Sequence, residues 1–390
     1  MSIAMRVLFT SIRNIGHYQP LVPLIEACLR AGHETLVSTP PDLAERVAKT
    51  GAEFLPFGHP GDAGLEPLWR AMREVPEGER GSFVMGKIFA GACVRAALPA
   101  LLEHVETRKP DVIVREAQEY AALLVGERTG VPSVRVGISL EAPLLNLHDV
   151  VPALGEHRKN LGLAVDAAGE ALARERIVTQ FPPSFWPDPA AQRLFRFRAA
   201  SPVDDAPLPK AVPSAWSGSE RPLVYATLGT VAGTMNELTS AYRLVLDALG
   251  SVPVHALLTT GEALDPASLG PIPDNVHVER FVPQAELLGH VRAVVCHGGS
   301  GTVLGTLAAG VPMVVVPLFA DQPTNAKEVA KVGAGLSVPY AGATAEAIAQ
   351  ALTRVLREPS FTERARAVAA EIAALPPVSA VPTWLEALKS

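Results

Sequence analysis

The sequence predicts an α/β protein made of two Rossmann-like domains that face each other across a cleft. Short apolar runs without polar alternation, typical of buried parallel strands, alternate with amphipathic helical stretches through most of the chain. The alternation restarts at Arg221 after a proline-rich segment, and both halves follow the same order of elements. At 390 residues and 48% hydrophobic content, the chain can form two substantial cores.

The first half opens with a β-loop-α-β unit. Its predicted strands are residues 5–11, 34–38, 51–56, 109–114 and 133–137, and its predicted helices are residues 21–31, 43–50, 82–106, 120–129 and 156–180. Residues 59–81 and 139–155 are predicted to be irregular connections. Leu65, Leu68, Trp69 and Met72 have helical spacing within the first of them, a pattern more typical of a core than of a ligand pocket.

Proline density predicts the domain boundary. Residues 181–213 hold eight prolines, which is typical of an extended connector. We therefore expect a first domain at 1–204, a linker at 205–219, a second domain at 220–372 and a helical tail at 373–390 that returns to the first domain. The predicted strands of the second half are residues 223–226, 254–259, 276–278, 293–296 and 313–319, and its predicted helices are residues 236–249, 287–290, 302–309, 344–357, 360–374 and 383–389.

Composition and charge exclude several classes of function. The net charge is −6, with 34 basic and 40 acidic residues, and the absence of a long basic block argues against a nucleic-acid partner. No apolar run approaches the ~20 residues of a membrane span, and the first residues lack the apolar core of a signal peptide, so we expect a cytoplasmic protein. Cys28, Cys93 and Cys296 have no metal-ligand spacing.

The most informative stretch follows the predicted strand 293–296. His297, Gly298, Gly299, Ser300, Gly301 and Thr302 occupy the turn where this strand ends and a helix begins. Such a turn presents unpaired N–H groups and the positive end of the helix dipole, which together bind a phosphate. A turn of this composition that only permits tight packing is the alternative.

An acid and an amide stand at the end of the next predicted strand, 313–319. Asp321 and Gln322 reach the same carboxyl edge as the turn, which is where α/β sheets bind their ligands. Their side chains are suited to sugar hydroxyls. The combination favours a diphosphate-linked sugar over a packing turn.

The first half offers a histidine and a carboxylate at strand ends. His17 lies in the loop after the first strand, and Glu116 lies at the end of the strand that begins near residue 109. A carboxylate at this position is expected to reach the histidine. The alternatives are a solvated loop histidine and a surface salt bridge between Glu116 and Arg115.

These stretches resemble the nucleotide-binding signature of the GT-B fold glycosyltransferases that modify small molecules, and most closely the actinomycete enzymes that attach deoxysugars to antibiotics and other polyketides. The resemblance covers nearly the whole chain and is strongest in the second half. It implies that His17 is the general base and that Glu116 orients it. It implies donor-binding roles for Thr230, Phe281, Val282, Gln284, His297, Gly299, Ser300, Gly301, Thr302, Asp321 and Gln322.

The chain departs from the plant members of this family at Gly305. Plant relatives carry a glutamate at this position that grips the ribose diol. Because a 2-deoxyribose needs no such grip, the glycine favours a dTDP-sugar over a UDP-sugar. A packing role for Gly305 is the alternative.

The acceptor is expected to be a hydrophobic natural-product aglycone. Trp69, Met72, Phe83 and Leu144 lie on loops near the predicted cleft and are the candidate acceptor-binding residues. The sequence identifies neither the aglycone nor the sugar, and it leaves transfer to carbon and the choice between a monomer and a homodimer open.

The expected reaction is an inverting transfer with no metal and no bound cofactor. The helix N-terminus and His297 are suited to stabilise the leaving nucleoside diphosphate, and the only adjacent acid pair, Asp204 and Asp205, lies at the linker. The remaining alternatives are a UDP-sugar-using transferase, a sugar-nucleotide epimerase of the same architecture, and a helper protein that has lost activity.

Overall fold

Two parallel sheets organise the chain in a computed structural model that describes residues 4–140, 147–186, 193–199 and 207–389. The chain divides into two compact units. The first contains Met1–Gln180, Asp188–Ala199 and Pro376–Ser390, and the second contains Phe181–Pro187 and Ala200–Leu375.

The first sheet has the strand order β3-β2-β1-β4-β5-β6-β7. Its strands are β1 (Arg6–Thr10), β2 (Glu34–Thr39), β3 (Glu53–Pro56), β4 (Val112–Glu116), β5 (Ser133–Gly137), β6 (Arg176–Thr179) and β7 (Leu194–Arg196). The helices up to residue 174 are α1 (Ile15–Tyr18), α2 (Val22–Arg30), α3 (Ala44–Ala48), α4 (Gly61–Glu74), α5 (Arg80–Phe83), α6 (Val94–Arg108), α7 (Ala121–Thr129), α8 (Leu147–Asn160) and α9 (Glu170–Arg174), with a π-helical segment, Val84–Cys93, between α5 and α6.

The second sheet has the strand order β10-β9-β8-β11-β12-β13. Its strands are β8 (Leu223–Thr227), β9 (His255–Thr259), β10 (Val276–Glu279), β11 (Ala293–Cys296), β12 (Met313–Val315) and β13 (Gly335–Ser337). The helices of this unit are α10 (Gly229–Ala232), α11 (Thr239–Gly250), α12 (Gln284–Leu287), α13 (Ser300–Ala308), α14 (Gln322–Lys331), α15 (Ala345–Arg357) and α16 (Pro359–Ala374).

Continuous apolar runs explain why these strands are central. All described residues of β4, β11 and β12 are buried, as expected for parallel strands covered by helices on both faces. Each sheet reverses its strand order between its first and fourth strands, at β1/β4 and at β8/β11. These reversal points are where doubly wound sheets bind ligands.

The C-terminal helix α17 (Val381–Glu386) returns to the first unit, which confirms that expectation. It packs against α2, and the Trp384 ring stacks on Phe195 with a centroid distance of 5.2 Å. Lys389 also forms an ion pair of 2.8 Å with Asp111.

Three sequence predictions in the first half are wrong. Residues 61–74 form α4 rather than an irregular connection, because the stripe that contains Leu65 and Trp69 outweighs the effect of Pro67. Residues 147–160 form α8, although Pro152 lies inside it. The predicted helix at 156–180 ends at Asn160, and its last part is the short strand β6.

Within the described residues, one helical stretch, Glu77–Arg108, is long and apolar enough by composition to cross a membrane. Its buried side chains include Met85, Leu101 and Val105, which pack with Leu8 and Ile113 of the first sheet. The stretch is therefore part of the core of the first unit.

Candidate active site

The first sheet places His17 and Glu116 together at its reversal point. His17 lies on α1, directly after β1, and Glu116 is the last residue of the neighbouring strand β4. The Asn14 side chain caps α1 by accepting from the Gly16 N–H at 2.9 Å, and Tyr18 is buried. The cap and the buried tyrosine fix the short helix that carries the histidine.

The two side chains form a hydrogen-bonded pair. His17 Nδ1 lies 2.8 Å from Glu116 Oε1, with 21% of the histidine side chain exposed and the carboxylate fully buried. The Gln118 backbone N–H donates to the same oxygen at 2.8 Å. An ionised Glu116 accepts from Nδ1–H, so the Nε2 of a neutral His17 carries the lone pair that takes up a proton.

Arg115 does not pair with Glu116, so that alternative is wrong. The guanidinium is buried and forms a bidentate pair with Glu175, at 2.6 and 2.5 Å. The side chain of Arg115 points away from Glu116 because neighbouring residues of a strand face opposite sides of the sheet.

An apolar cluster adjoins the histidine. The Phe89 ring lies 6.0 Å from the His17 ring, centroid to centroid, at an interplanar angle of 59°. Phe89 belongs to the π-helical segment and packs in one cluster with Trp69 and the buried Ile88. Phe89 could not be assigned to the site from the sequence, where it is one aromatic residue on a helix of unknown orientation.

The other predicted acceptor residues are not described members of the cluster that contains Phe89. Met72 on α4 and Phe83 on α5 are half-buried and are not among the described members of the Phe89 cluster. Leu144 lies outside the described residues.

The second sheet brings His297 and the loop after β8 together at its own reversal point. The His297 backbone N–H donates to the Thr227 carbonyl at 3.3 Å. A Cβ added at Gly229 would lie 2.5 Å from His297 Nε2, and one at Gly299 would also collide with that atom. The two glycines therefore provide the space that the imidazole occupies, and Thr230 follows Gly229 at an exposed position.

His297 is neutral at physiological pH. Burial lowers the pKa of this imidazole to about 4. Before a ligand binds, the ring therefore presents an N–H donor without a positive charge.

The turn at 297–302 has the geometry of an anion site. Gly298 has a φ of +89°, and a Cβ there would lie 2.7 Å from Val315. Ser300, Gly301 and Thr302 form the first turn of α13, so their backbone N–H groups have no intrahelical acceptor. A Cβ added at Gly301 would meet only open space, so the approach to these groups is clear.

The acid–amide pair follows a strained turn. Ala320 adopts a φ of +56°, which is rare for a residue with a Cβ, and delivers Asp321 to the start of α14. Asp321 Oδ2 accepts from the Ser300 hydroxyl at 2.8 Å. The Ser300 hydroxyl is thus bonded to Asp321. The group that Ser300 can offer a phosphate is its backbone N–H.

The side-chain amide of Gln322 can offer a ligand only its N–H donors. Its Oε1 accepts from the backbone N–H groups of Leu318, at 2.8 Å, and Phe319, at 3.0 Å. The amide is 4% exposed, so these two bonds fix its orientation. A sugar hydroxyl that meets Gln322 therefore meets its NH₂ group.

Asn325 joins the turn to the acid. Its side chain is fully buried, and Nδ2 donates to the Gly298 carbonyl at 2.8 Å, to Asp321 Oδ2 at 3.0 Å and to Ser300 Oγ at 3.2 Å. No role could be predicted for Asn325 from the sequence. Only the folded geometry reveals that one amide links the turn at 297–302 to Asp321.

The segment before β11 supplies an aromatic surface. Phe281 is 62% exposed, whereas Val282 is 4% exposed and can offer a ligand only its backbone. Gln284 begins α12, and its side-chain nitrogen fills the space beside Gly305, where any Cβ would collide with it. The predicted packing alternative for Gly305 thus has a physical basis, since the glycine makes room for Gln284.

No group of three or more His, Cys, Asp or Glu side chains placed to hold a metal ion occurs in the part of the chain that the structure describes. His297 and Asp321 lie on separate loops, where the His297 backbone N–H donates to the Thr227 carbonyl and Asp321 accepts from the Ser300 hydroxyl.

Comparison with known proteins identifies the family. A family model described as the C-terminal domain of erythromycin biosynthesis protein CIII-like proteins matches residues 243–388. L-demethylnoviosyl transferase from Streptomyces niveus is 34% identical over 343 residues, which cover 86% of each chain. Elloramycin glycosyltransferase ElmGT from Streptomyces olivaceus is 32% identical, over 95% of this chain and 94% of that protein.

Solved structures agree with the architecture. The crystal structure of the glycosyltransferase VinC in complex with dTDP has a TM-score of 0.77 to this chain, at 25% identity over 99% of both chains. The relatives named here transfer sugars, and the two sheets with their surrounding helices match the GT-B architecture. The chain therefore belongs to the GT-B glycosyltransferases of natural-product biosynthesis.

Proposed function

We propose that the enzyme moves a deoxysugar from a dTDP-sugar to a hydroxyl of a hydrophobic aglycone, by a single inverting displacement without a metal ion. The observation that carries this proposal is the hydrogen-bonded pair of His17 and Glu116 at the reversal point of the first sheet. Besides the residues that bind the sugar donor, transfer to a hydroxyl requires a base that takes up the proton of that hydroxyl.

His17 and Glu116 have different roles in the proposed reaction. The acceptor hydroxyl attacks the anomeric carbon while His17 Nε2 takes its proton, and the bond from that carbon to the diphosphate oxygen breaks. Glu116 holds the tautomer with its proton on Nδ1 and stabilises the imidazolium that forms. One attack from the face opposite the leaving group inverts the anomeric centre.

The second unit is proposed to hold the donor. The first-turn N–H groups of α13 and the neutral His297 are suited to the diphosphate, whose negative charge grows as it leaves. Asp321 and the NH₂ group of Gln322 are suited to the transferred sugar. Thr230 is proposed to contact the phosphates, and Phe281, Val282 and Gln284 are proposed to contact the nucleotide base.

The acceptor is proposed to lie on the apolar cluster beside His17. Phe89 and Trp69 supply aromatic surface within one cluster, and Met72 and Phe83 add half-buried apolar groups. Such a surface suits a flat or greasy aglycone.

A dTDP-sugar is the proposed donor. No carboxylate stands at Gly305 to hold a ribose 2′-hydroxyl, and the Gln284 amide fills that space instead. The VinC structure contains dTDP, which supports the same choice of nucleotide.

We expect dTDP to bind more tightly than UDP in calorimetry, because this site has no carboxylate for the extra hydroxyl. Gly305→Ala should weaken dTDP binding several-fold, since its Cβ displaces the Gln284 side chain. The same substitution in a Gln284→Ala background should then have little effect, because the pair acts as one unit. Tighter binding of UDP would contradict the choice of donor.

The overall reaction is tested by incubating the protein with dTDP-glucose and a phenolic acceptor in the presence of EDTA. We expect a β-glucoside, identified by the proton coupling constant at its anomeric carbon, at a rate that EDTA does not change. An α-glucoside or a loss of activity in EDTA would contradict the mechanism. A sugar altered without any acceptor would identify an epimerase, and no turnover with intact dTDP binding would identify a helper protein.

A further inference from the structure

The loop behind Glu116 is held by a buried arginine. Arg115 and Glu175 have side-chain exposures of 0% and 1%, and their bidentate contact uses the Nε and Nη2 groups of the arginine. The third nitrogen, Nη1, donates to the backbone carbonyls of Glu116 at 3.1 Å, Ala117 at 2.9 Å and Glu119 at 3.3 Å. One guanidinium thus binds three carbonyls of the loop at 116–119.

The other end of this loop is fixed by a second carboxylate. Glu119 accepts from the Thr10 hydroxyl at 2.8 Å and from the N–H groups of Ala121 and Ala122, at 3.0 and 3.1 Å, at the start of α7. Thr10 ends β1, the strand that leads to His17. The loop that carries Glu116 is therefore tied both to the strand before His17 and to the helix behind it.

Stability alone does not account for a buried ion pair. Replacing such a pair by apolar side chains of similar volume is often neutral or stabilising, because two charges no longer have to leave water. A guanidinium does, however, hold several donors in a fixed planar arrangement, which an ammonium group cannot do. The arrangement around Arg115 uses this property on the loop next to the proposed base.

We propose that Arg115 is a positioning residue for the transfer reaction, which holds the loop at 116–119 so that Glu116 meets His17 Nδ1. This inference rests on the proposed role of His17 as the base. Glu175 keeps the guanidinium in place, and the Gln118 N–H completes the orientation of the carboxylate. Arg115 itself touches neither substrate nor His17 in this role.

The test replaces the pair together, as Arg115→Met with Glu175→Leu, so that neither of these two charges is left buried without the other. We expect a folded enzyme whose kcat falls by about 10- to 30-fold, since an oriented acid–base pair contributes ~10²–10⁴-fold and only its alignment is lost. The KM for the dTDP-sugar should stay at the parent value, because the donor residues are in the second unit.

The pH profile gives an independent readout. A histidine without an aligned carboxylate has a lower pKa, so the acid limb of kcat/KM should move to lower pH in the pair variant. The charged or titratable groups near His17 and Glu116 include Glu119 on the same loop, whose carboxyl pKa burial raises to about 6. They also include Cys93 on the π-helical segment, whose thiol pKa is raised by burial and, to a smaller extent, by Glu119 and Glu116. Behind the loop lie Arg115, Glu175 and Arg135, which is 3.7 Å from Glu175. Changes in stability alone would not move this limb.

The matched control is the pair of Arg158 and Glu127, which is also bidentate, at 2.7 and 2.8 Å, and lies in the same unit. Arg158→Met with Glu127→Leu should leave kcat and the acid limb unchanged. If this control lowers kcat as much as the Arg115 variant does, the effect is general to the unit and the proposal is overturned.

A parent-like kcat and acid limb in the Arg115 and Glu175 variant would overturn the proposal. If that variant does not fold, Arg115→Lys decides, because its single ammonium nitrogen keeps the charge beside Glu175 but lacks the separate Nη1 group that reaches the loop carbonyls. A lowered kcat with unchanged KM supports positioning, whereas a parent-like kcat or a failure to fold overturns it. His17→Ala, measured in parallel, separates the two hypotheses: if it is inactive while the Arg115 variants match the parent, only this inference fails.

Discussion

Replacing His17 by alanine is expected to lower kcat for transfer to a hydroxyl by about 10²–10⁴-fold, the range that general-base catalysis contributes. The acceptor hydroxyl has a pKa well above neutral and loses its proton during the attack, and alanine leaves no group to take it. The KM for the dTDP-sugar should change little. The measurement is steady-state kinetics with dTDP-glucose and a phenolic acceptor.

Two further variants make this result specific. His104→Ala removes another histidine of the first unit, whose Nδ1 contacts the Ser38 hydroxyl at 3.1 Å, and it should leave kcat unchanged. Glu116→Gln should lower kcat alone but add little to His17→Ala, since residues that act as a unit have non-additive effects. Transfer by His17→Ala within a few-fold of the parent would remove the base assignment.

The strands could be predicted from the sequence because parallel strands are buried on both faces and appear as continuous apolar runs. The strand at Ala293–Cys296 has the predicted bounds, and Glu116 and His297 lie at strand ends as predicted. His17 follows β1 as predicted, but it lies on the short helix α1 rather than in a loop. Helix α8 and strand β6 were missed because proline and a four-residue strand give weak local signals, which tertiary packing outweighs.

Apart from the contact between His17 and Glu116, which was predicted, the partners of the site residues could not be predicted. A strand end defines which edge a side chain reaches, but not which acceptor its hydrogen bond finds. The Ser300 hydroxyl bonds to Asp321, Arg115 pairs with Glu175, which lies 60 positions away, and Gln284 fills the space at Gly305. Each of these contacts joins residues far apart in sequence, so no local pattern encodes it.

Asn325→Ala is expected to weaken dTDP binding by about 10- to 100-fold, which corresponds to ~1.4–2.8 kcal/mol. The substitution removes three hydrogen bonds from one buried amide and leaves the Gly298 carbonyl without that donor. The turn that presents the α13 N–H groups then loses its link to Asp321. Because the same link orients Asp321, kcat should fall together with donor affinity. Calorimetry with dTDP and kinetics with dTDP-glucose measure the two effects.

The control for this variant is the half-buried Asn275, whose side-chain nitrogen also makes three hydrogen bonds. Its Nδ2 donates to the carbonyls of Leu249, Val252 and Val254, at 3.0, 3.2 and 3.1 Å. Asn275→Ala should lower the free energy of unfolding by ~1–3 kcal/mol, as expected for buried groups left without a partner, and leave dTDP affinity unchanged. If both variants lose stability but neither loses dTDP affinity, Asn325 supports only the fold, and the link between the turn and Asp321 has no part in donor binding.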